Sequence, residues 1–255
     1  MMTRAIGKLF MPMIQNKPIA LQANWSAPSN VRTLITTNSE DFNLALHVGA
    51  PQEQVMHNRA KLNQLLPDSP KWLNQTHSTN VINWDNELSY KAFDADASIT
   101  TKKNTVCVVM TADCLPILLT SRGGDFVSAI HAGWRGLNDG IIAKTIAEIP
   151  NINRRDILAF IGPAIDQECF EIGAEVREQF LSKDSSTEQY FQNTANPDKF
   201  MGDLRGIAAH QLVNLGVKSS NIYNSKICTK CHADWFYSYR ATPKTGRIAS
   251  LIWLE

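Results

Sequence analysis

Three residues of this chain have side chains suited to reactive chemistry: His77 in the segment NQTHST, Cys114 in ADCLP and His131 at the end of DFVSAIH. Each alone has a plain reading. His77 follows Trp72 and Leu73 in a polar stretch and reads as a hydrogen-bonded structural histidine, and Cys114 beside an apolar run reads as a small buried hydrophobe. His131 ends an apolar strand just before Ala132-Gly133, where the backbone can turn sharply and leave an imidazole at the strand tip. Together, two imidazoles and a thiolate form a borderline-soft ligand set for Zn²⁺ or copper. Three protein ligands leave a coordination position open, where a metal lowers the pKa of water to about 7 or polarises a substrate oxygen. The separations of 37 and 17 residues are not the close pairs of a structural zinc site, so tertiary folding has to assemble such a centre. A metal-free alternative uses the same residues, with Cys114 a nucleophile activated by one histidine. Metal content discriminates the two.

Three arginines offer anion anchors. Arg135, Arg240 and Arg247 lie in HAGWRG, YSYR and TGR, and a guanidinium at such a turn can clamp phosphate or carboxylate bidentately; the plain alternative is surface ion pairing. Cys228-Thr-Lys-Cys231-His232 matches a c-type haem attachment motif and also half of a zinc site or a redox pair. Haem attachment needs an exported protein, a four-cysteine site needs a second pair, and a thioredoxin-like motif precedes a helix rather than DWFYSYR. Gly162-Pro163 in FIGPAI reads as a turn at a pocket edge, and no Rossmann or Walker loop is present.

The elements that must position these residues follow from local pattern. Thr105 to Met110 and Leu115 to Thr120 are β-branched or apolar runs, so the TADC between them sits where one buried strand bends into the next. Asp125 to His131 reads as a strand running through a glycine turn into a helix over Leu137 to Ile149. Further strands are expected at 156–161, 221–227 and 247–254, and helices at 173–181 and 204–215. Ser182 to Asp203 has no periodicity and reads as a surface loop. Strands outnumber helices without strict βα alternation, which argues for α+β: a single domain over residues 1–255 with a mixed β-sheet core flanked by helices.

With 255 residues and 44% hydrophobic content, the chain can bury a sizeable core. Its 25 basic and 24 acidic residues leave no field to recruit nucleic acid or an anionic membrane. The N-terminal stretch from Met1 to Pro18 carries Arg4 and Lys8, but its apolar run is short and broken by Pro12, so it is read as mature protein. No apolar run reaches the length of a spanning helix. Five cysteines, an odd number without framework spacing, argue for reduced thiols. A soluble, cytoplasmic monomer is expected.

Taken in order, FNLALHVG with NRAKL, QTHST, the run DADASITTKKNTVCVVMTADCLPILLT, AIHAGWRGLNDGII, FIGPAI, FYSYR and TGRIASLIWL resemble the YfiH family, also called the laccase-domain or multicopper polyphenol oxidase-like family. These segments stretch from Asn43 to Leu254, and ADC-x-P with HAGWRG is the most specific part. The resemblance implies a compact α+β fold with one metal, its ligands matching His77, Cys114 and His131. It implies phosphorolysis of adenosine, inosine, guanosine and methylthioadenosine, with adenosine deamination. Copper-dependent phenol oxidation and editing of peptidoglycan precursors are also attributed to the family. Relatives commonly carry Asp after HVG and an R-R-D run after the aromatic-Ser segment, where this chain has Ala50 and Arg240-Ala241-Thr242. They often keep the cysteine at position 228 but not the second one, so Cys231 reads as incidental.

The reactions make different demands. Phosphorolysis needs cationic anchors for phosphate and a means of stabilising the leaving base. Arg135 or Arg247 with Zn²⁺ meets the first, and Asp96 and Asp113 are candidates for the second only because they lie in motif segments. Deamination needs a general acid/base beside an activated water, and the H-x-E…P-C-x-x-C signature is missing. A laccase needs many histidines, and only six are present, with no His-x-His pair. The expectation is therefore a zinc-dependent purine nucleoside phosphorylase with adenosine deamination as a second activity, copper being the alternative ion, and purine nucleosides and phosphate the partners.

Overall fold

A computed structural model describes residues 17–87 and 92–255. The N-terminal segment read as mature protein lies outside them as far as position 16. In chain order the strands are β1 (Ala20–Leu21), β2 (Val31–Thr36), β3 (Leu73–Asn74), β4 (Val81–Asn83), β5 (Phe93–Asp94), β6 (Ala97–Thr100), β7 (Cys107–Thr111) and β8 (Leu115–Ser121). They continue as β9 (Val127–Ala132), β10 (Ile157–Ile161), β11 (Glu171–Gly173), β12 (Phe191–Asn193), β13 (Lys199–Gly202), β14 (Ile222–Asn224) and β15 (Ile248–Leu254). The helices are α1 (Gln52–Asn63), α2 (Trp134–Asp139), α3 (Ile141–Ala147), α4 (Ala174–Lys183) and α5 (Leu204–Asn214).

The fold is α+β, as its strand pattern implies. A six-stranded sheet in the order β14-β10-β8-β9-β6-β4 is mixed, because β10 with β14 and β4 with β6 are parallel while the other pairs are antiparallel. A second sheet in the order β1-β2-β15-β7 is wholly antiparallel. Side-chain alternation explains how they stack. On β8, Leu115, Ile117 and Leu119 face Ile141, Ile142, Ile207 and Leu212 of the helices, while Leu118 turns to the other side. There it joins Phe160 of β10 and meets Val109 and Ile252 of the second sheet. The outer face of that sheet, with Val108, Met110, Leu251 and Trp253, packs on Leu62 of α1 and on Phe42 and Leu44. A one-residue slip in β8 or β15 exchanges these apolar sets between faces, so burial on both sides pins the register.

Three expectations are corrected. The helix read over Leu137 to Ile149 starts earlier, at Trp134, and divides into α2 and α3 at Gly140, whose φ of 90° lies where a Cβ is disfavoured. Ser182 to Asp203 is not simply a loop. It holds a 3₁₀ turn at Ser185–Tyr190 and the strands β12 and β13, which pair antiparallel and complete a three-stranded sheet with β11. The strand expected over 221–227 is shorter, at Ile222–Asn224. Among the described residues no helix is long and apolar enough to cross a membrane.

Helix α1 serves the site through polar contacts. The Asn58 amide donates to the carbonyls of Asp41 and Asn43, and Arg59 Nε donates to that of Leu44 while its guanidinium lies 4.0 Å from the Trp72 ring centre. Asn43 is buried, donates to Ala45 O, and its Oδ1 accepts from the backbone N–H groups of Ala45 and Arg247. Removing that amide strands two backbone donors in a dry environment. Asn43→Ala should therefore lower unfolding free energy by about 2–3 kcal/mol, read as a lower urea midpoint at unchanged slope; an unaltered midpoint contradicts this account.

Candidate active site

The bend between β7 and β8 is the base of the site. Thr111 ends β7, Leu115 begins β8, and Asp113 between them has a φ of 88°, which is strained for a residue with a side chain. Two hydrogen bonds hold it there: Thr229 Oγ1 donates to one carboxylate oxygen at 2.6 Å and the backbone N–H of Arg240 to the other at 2.7 Å. Cys114 follows directly. On the neighbouring strand, His131 pairs in register with Pro116, so the antiparallel ladder places Cys114 and His131 at the same sheet end. Gly133 comes next, and a Cβ there would lie 3.2 Å from Cys114 Sγ and 2.8 Å from His77 Cδ2. Glycine keeps that space open.

His77 arrives from a loop rather than a strand, with a φ of 59°. The Gln75 side chain exchanges two hydrogen bonds with the backbone of Met110, at 2.8 and 2.7 Å, tying the loop to the end of β7. Asp96, with no solvent exposure, completes the anchoring. Its carboxylate accepts from the backbone N–H groups of Thr76, His77 and Ser78 and from the Ser78 hydroxyl, and lies 2.7 Å from His131 Nδ1. One carboxylate thus fixes the loop of one histidine and the ring of the other. It also assigns the His131 proton to Nδ1, leaving Nε2 to face the cluster.

His77, Cys114 and His131 therefore meet: one ligand atom from each lies within 4.8 Å of the others, with Cys114 Sγ 3.9 Å from His77 Nε2. The imidazole rings stand edge-on at 4.8 Å between centres. Burial alone raises the Cys114 thiol, but hydrogen bonding to His131 and His77 and their charge bring it down to about 6. Burial disfavours a charged His131, yet Asp96 and Cys114 raise it to about 9. Burial likewise works against an ionised Asp96, and its hydrogen bonds to His131 and Ser78 prevail, holding it at about 2. At neutral pH the sulfur is a thiolate, the form that ligates metals or attacks electrophiles. Donor set, spacing and the carboxylate behind His131 all fit a bound metal ion.

The cluster opens into a cavity of about 300 Å³ lined also by His47, Phe170, Tyr239, Arg240 and Arg247. Two of the three arginines expected at the site are here. Arg135 is not: it is exposed on the first turn of α2, with its guanidinium 4.3 Å from the Trp134 ring centre. Of the two carboxylates considered as proton donors, Asp96 is fully occupied as an acceptor, and both oxygens of Asp113 accept hydrogen bonds that shape the bend. His47, Phe170 and Tyr239 were not anticipated. His47 and Tyr239 lie within FNLALHVG and FYSYR, so the motif segments carried the signal, whereas nothing local marks Phe170. Burial, then Arg247 and Arg59, lower the His47 pKa, so a neutral imidazole enters the cavity.

Known proteins resemble this chain over nearly its whole length. The chain is 41% identical to a Haemophilus influenzae protein named purine nucleoside phosphorylase, over 92% of this chain and 99% of that one. It is 38% identical to the Escherichia coli protein named purine nucleoside phosphorylase YfiH, over 90% of this chain and 96% of its relative. A Neisseria meningitidis crystal structure superposes with a TM-score of 0.88 at 40% identity, over 93% of this chain and all of that one. Residues 32–255 match the family model described as multi-copper polyphenol oxidoreductase laccase, and the chain belongs to that family, which includes the YfiH proteins.

Proposed function

We propose that this protein is a zinc-dependent purine nucleoside phosphorylase, with His77, Cys114 and His131 as the metal ligands and Arg240 and Arg247 as the anchors for phosphate. The observation that carries it is the meeting of the His₂Cys cluster and two guanidinium groups on one cavity. The names of relatives that align over nearly the whole chain support the same reading. Zn²⁺ suits two nitrogens and one thiolate with an open position, and when bound supplies Lewis-acid stabilisation of negative charge.

In phosphorolysis a phosphate oxygen attacks the anomeric carbon of the ribose as the bond from that carbon to the purine nitrogen breaks. The phosphate must be held by cations in line with that bond. Arg247 is half-buried and its charge faces Cys114 and Asp113; Arg240 lies with its guanidinium 5.4 Å from the Phe170 ring centre. Phe170 and Tyr239 offer flat faces for a purine, and His47 offers a neutral imidazole whose ring N–H can donate a hydrogen bond to the departing base.

Multicopper chemistry is a poorer fit. Among the described residues only one metal-binding group contains histidine, and it holds two. A laccase needs a trinuclear cluster as well. Deamination calls for a carboxylate free to shuttle protons, and Asp113, the one carboxylate among the described residues that lines the cavity, is already committed.

Three outcomes check this reading. Incubated with adenosine, the zinc-loaded protein should release adenine only when phosphate is present, and Cys114→Ala should lose both turnover and the zinc held at the His77–Cys114–His131 cluster. Inosine formed without phosphate, or a Cys114→Ala protein that keeps full activity and the zinc of that cluster, contradicts it. Arg240→Ala and Arg247→Ala should each raise KM for phosphate by about 10- to 150-fold, the equivalent of one charged hydrogen bond, while Arg135→Ala leaves it unchanged. Equal effects at all three positions rule out the assignment of anchors. Asp96→Asn should weaken zinc binding about 10- to 100-fold in chelator competition; undiminished affinity would remove Asp96 from its orienting role.

A further inference from the structure

The C-x-x-C pair, incidental by sequence, has a third partner. Cys169, at the end of the 3₁₀ turn Gln167–Cys169, comes within 3.4 Å of Cys231 Sγ, and the sulfurs of Cys169, Cys228 and Cys231 all lie within 4.8 Å of one another. All three are free thiols. Sulfurs bound to one tetrahedral Zn²⁺ at about 2.3 Å stand about 3.8 Å apart, which falls within the observed spread.

The surrounding backbone is arranged for a charged sulfur. Cys228 is buried, and the N–H groups of Cys231 and Asp166 both point to its Sγ, at 3.5 and 3.4 Å. A C-x-x-C turn that wraps its first sulfur in N–H donors stabilises a thiolate ligand. Beneath it lies Arg205, 4% exposed, its guanidinium donating to the carbonyls of Ala164 and Ile227 on the two cysteine-bearing segments. Among the described residues its Nε has no hydrogen-bond partner, and its ion-pair partner Asp166 stands 3.7 Å away, with the charge of Asp203 also acting on it. A buried, incompletely paired guanidinium is costly unless negative charge accumulates nearby. Three thiolates around a dication leave one net negative charge there.

We propose that Cys169, Cys228 and Cys231 form a second metal site, a three-thiolate centre for Zn²⁺ that is separate from the His77–Cys114–His131 cluster. Binding displaces the remaining thiol protons to solvent and forms three Zn–S bonds, with solvent as the fourth ligand. Cys231 is exposed, so an ion can enter from the surface. The site joins two segments that border the substrate cavity. Phe170, next to Cys169, lines that cavity, and Thr229, next to Cys228, holds the Asp113 carboxylate. A metal here therefore stiffens the cavity wall without touching substrate.

Cobalt is the probe, because sulfur-to-cobalt charge transfer reports bound thiolates. The reduced protein should take up about two equivalents of Co²⁺. Cys114→Ala should retain about three quarters of the charge-transfer intensity, and Cys231→Ser about one quarter or somewhat more if a two-sulfur remnant binds weakly. Zinc content of the Cys231→Ser protein should fall to about one equivalent, with far-ultraviolet circular dichroism confirming that it is folded. A Cys114→Ala protein without any thiolate-to-cobalt band overturns the proposal. So does a count of denatured protein prepared without reductant that shows two thiols missing and recovered on reduction, because Cys169 and Cys231 then form a disulfide rather than a metal site.

Discussion

Asp96 carries an ionised carboxylate at a position with no solvent exposure, and its cost is met only because five donors surround it. Desolvation alone would protonate such a group. Three backbone N–H groups, a hydroxyl and an imidazole hold it at about 2 instead. The dependence runs in both directions. The Thr76–Ser78 loop has no strand pairing to define it and takes its shape from this acceptor, and His131 takes its tautomer from the same group. Since one carboxylate sets both histidines, their mutual placement is as rigid as Asp96 itself, which lies just before β6, a strand paired on both sides, with β9 and β4.

The thiolate is positioned by a different economy. Cys114 lies at a bend, and the residue before it adopts a positive φ that only added contacts can sustain. Those contacts come from Thr229 and Arg240, more than a hundred residues further along the chain. The C-terminal segment therefore acts as a template for the bend, and it brings Tyr239, Arg240 and Arg247 to the cavity in the same stroke. This coupling accounts for the cationic groups at the cavity: β15, between β2 and β7 in the second sheet, begins immediately after Arg247 and locks the template in place through its pairing with β7.

Much of this was legible in the residues, and what was not has physical reasons. The strands on either side of ADC are β-branched and apolar because both sheet faces are buried, so their pattern is strong. Helix α1 was invisible: its buried positions include Val55 and Leu62, seven residues apart, and Asn58, a polar residue placed inward to bond carbonyls. Strands β12 and β13 are too short to establish a period. The metal cluster could be proposed from donor chemistry, but Arg135 shows the limit of that reasoning, since a guanidinium in a motif segment can equally point to solvent. Cys169 had no marker, because its partners are 59 and 62 residues away.

The family description names a laccase, yet the fold distributes its donors in a way that suits one-centre chemistry. Of the six histidines, His57 lies on α1, His210 pairs with Asp184, and the His232 ring nitrogen lies 3.0 Å from Cys228 O. None of these can join His77 and His131 without dismantling a hydrogen bond or a helix that the fold uses elsewhere. Sulfur rather than nitrogen recurs where donors converge, once with two imidazoles and once in a three-cysteine group. A thiolate with imidazoles suits Zn²⁺ and copper alike, but a single such centre lacks the further copper sites that a laccase mechanism needs. Arg240 and Arg247 bring positive charge to the same cavity, which suits the anionic nucleophile of the proposed phosphorolysis.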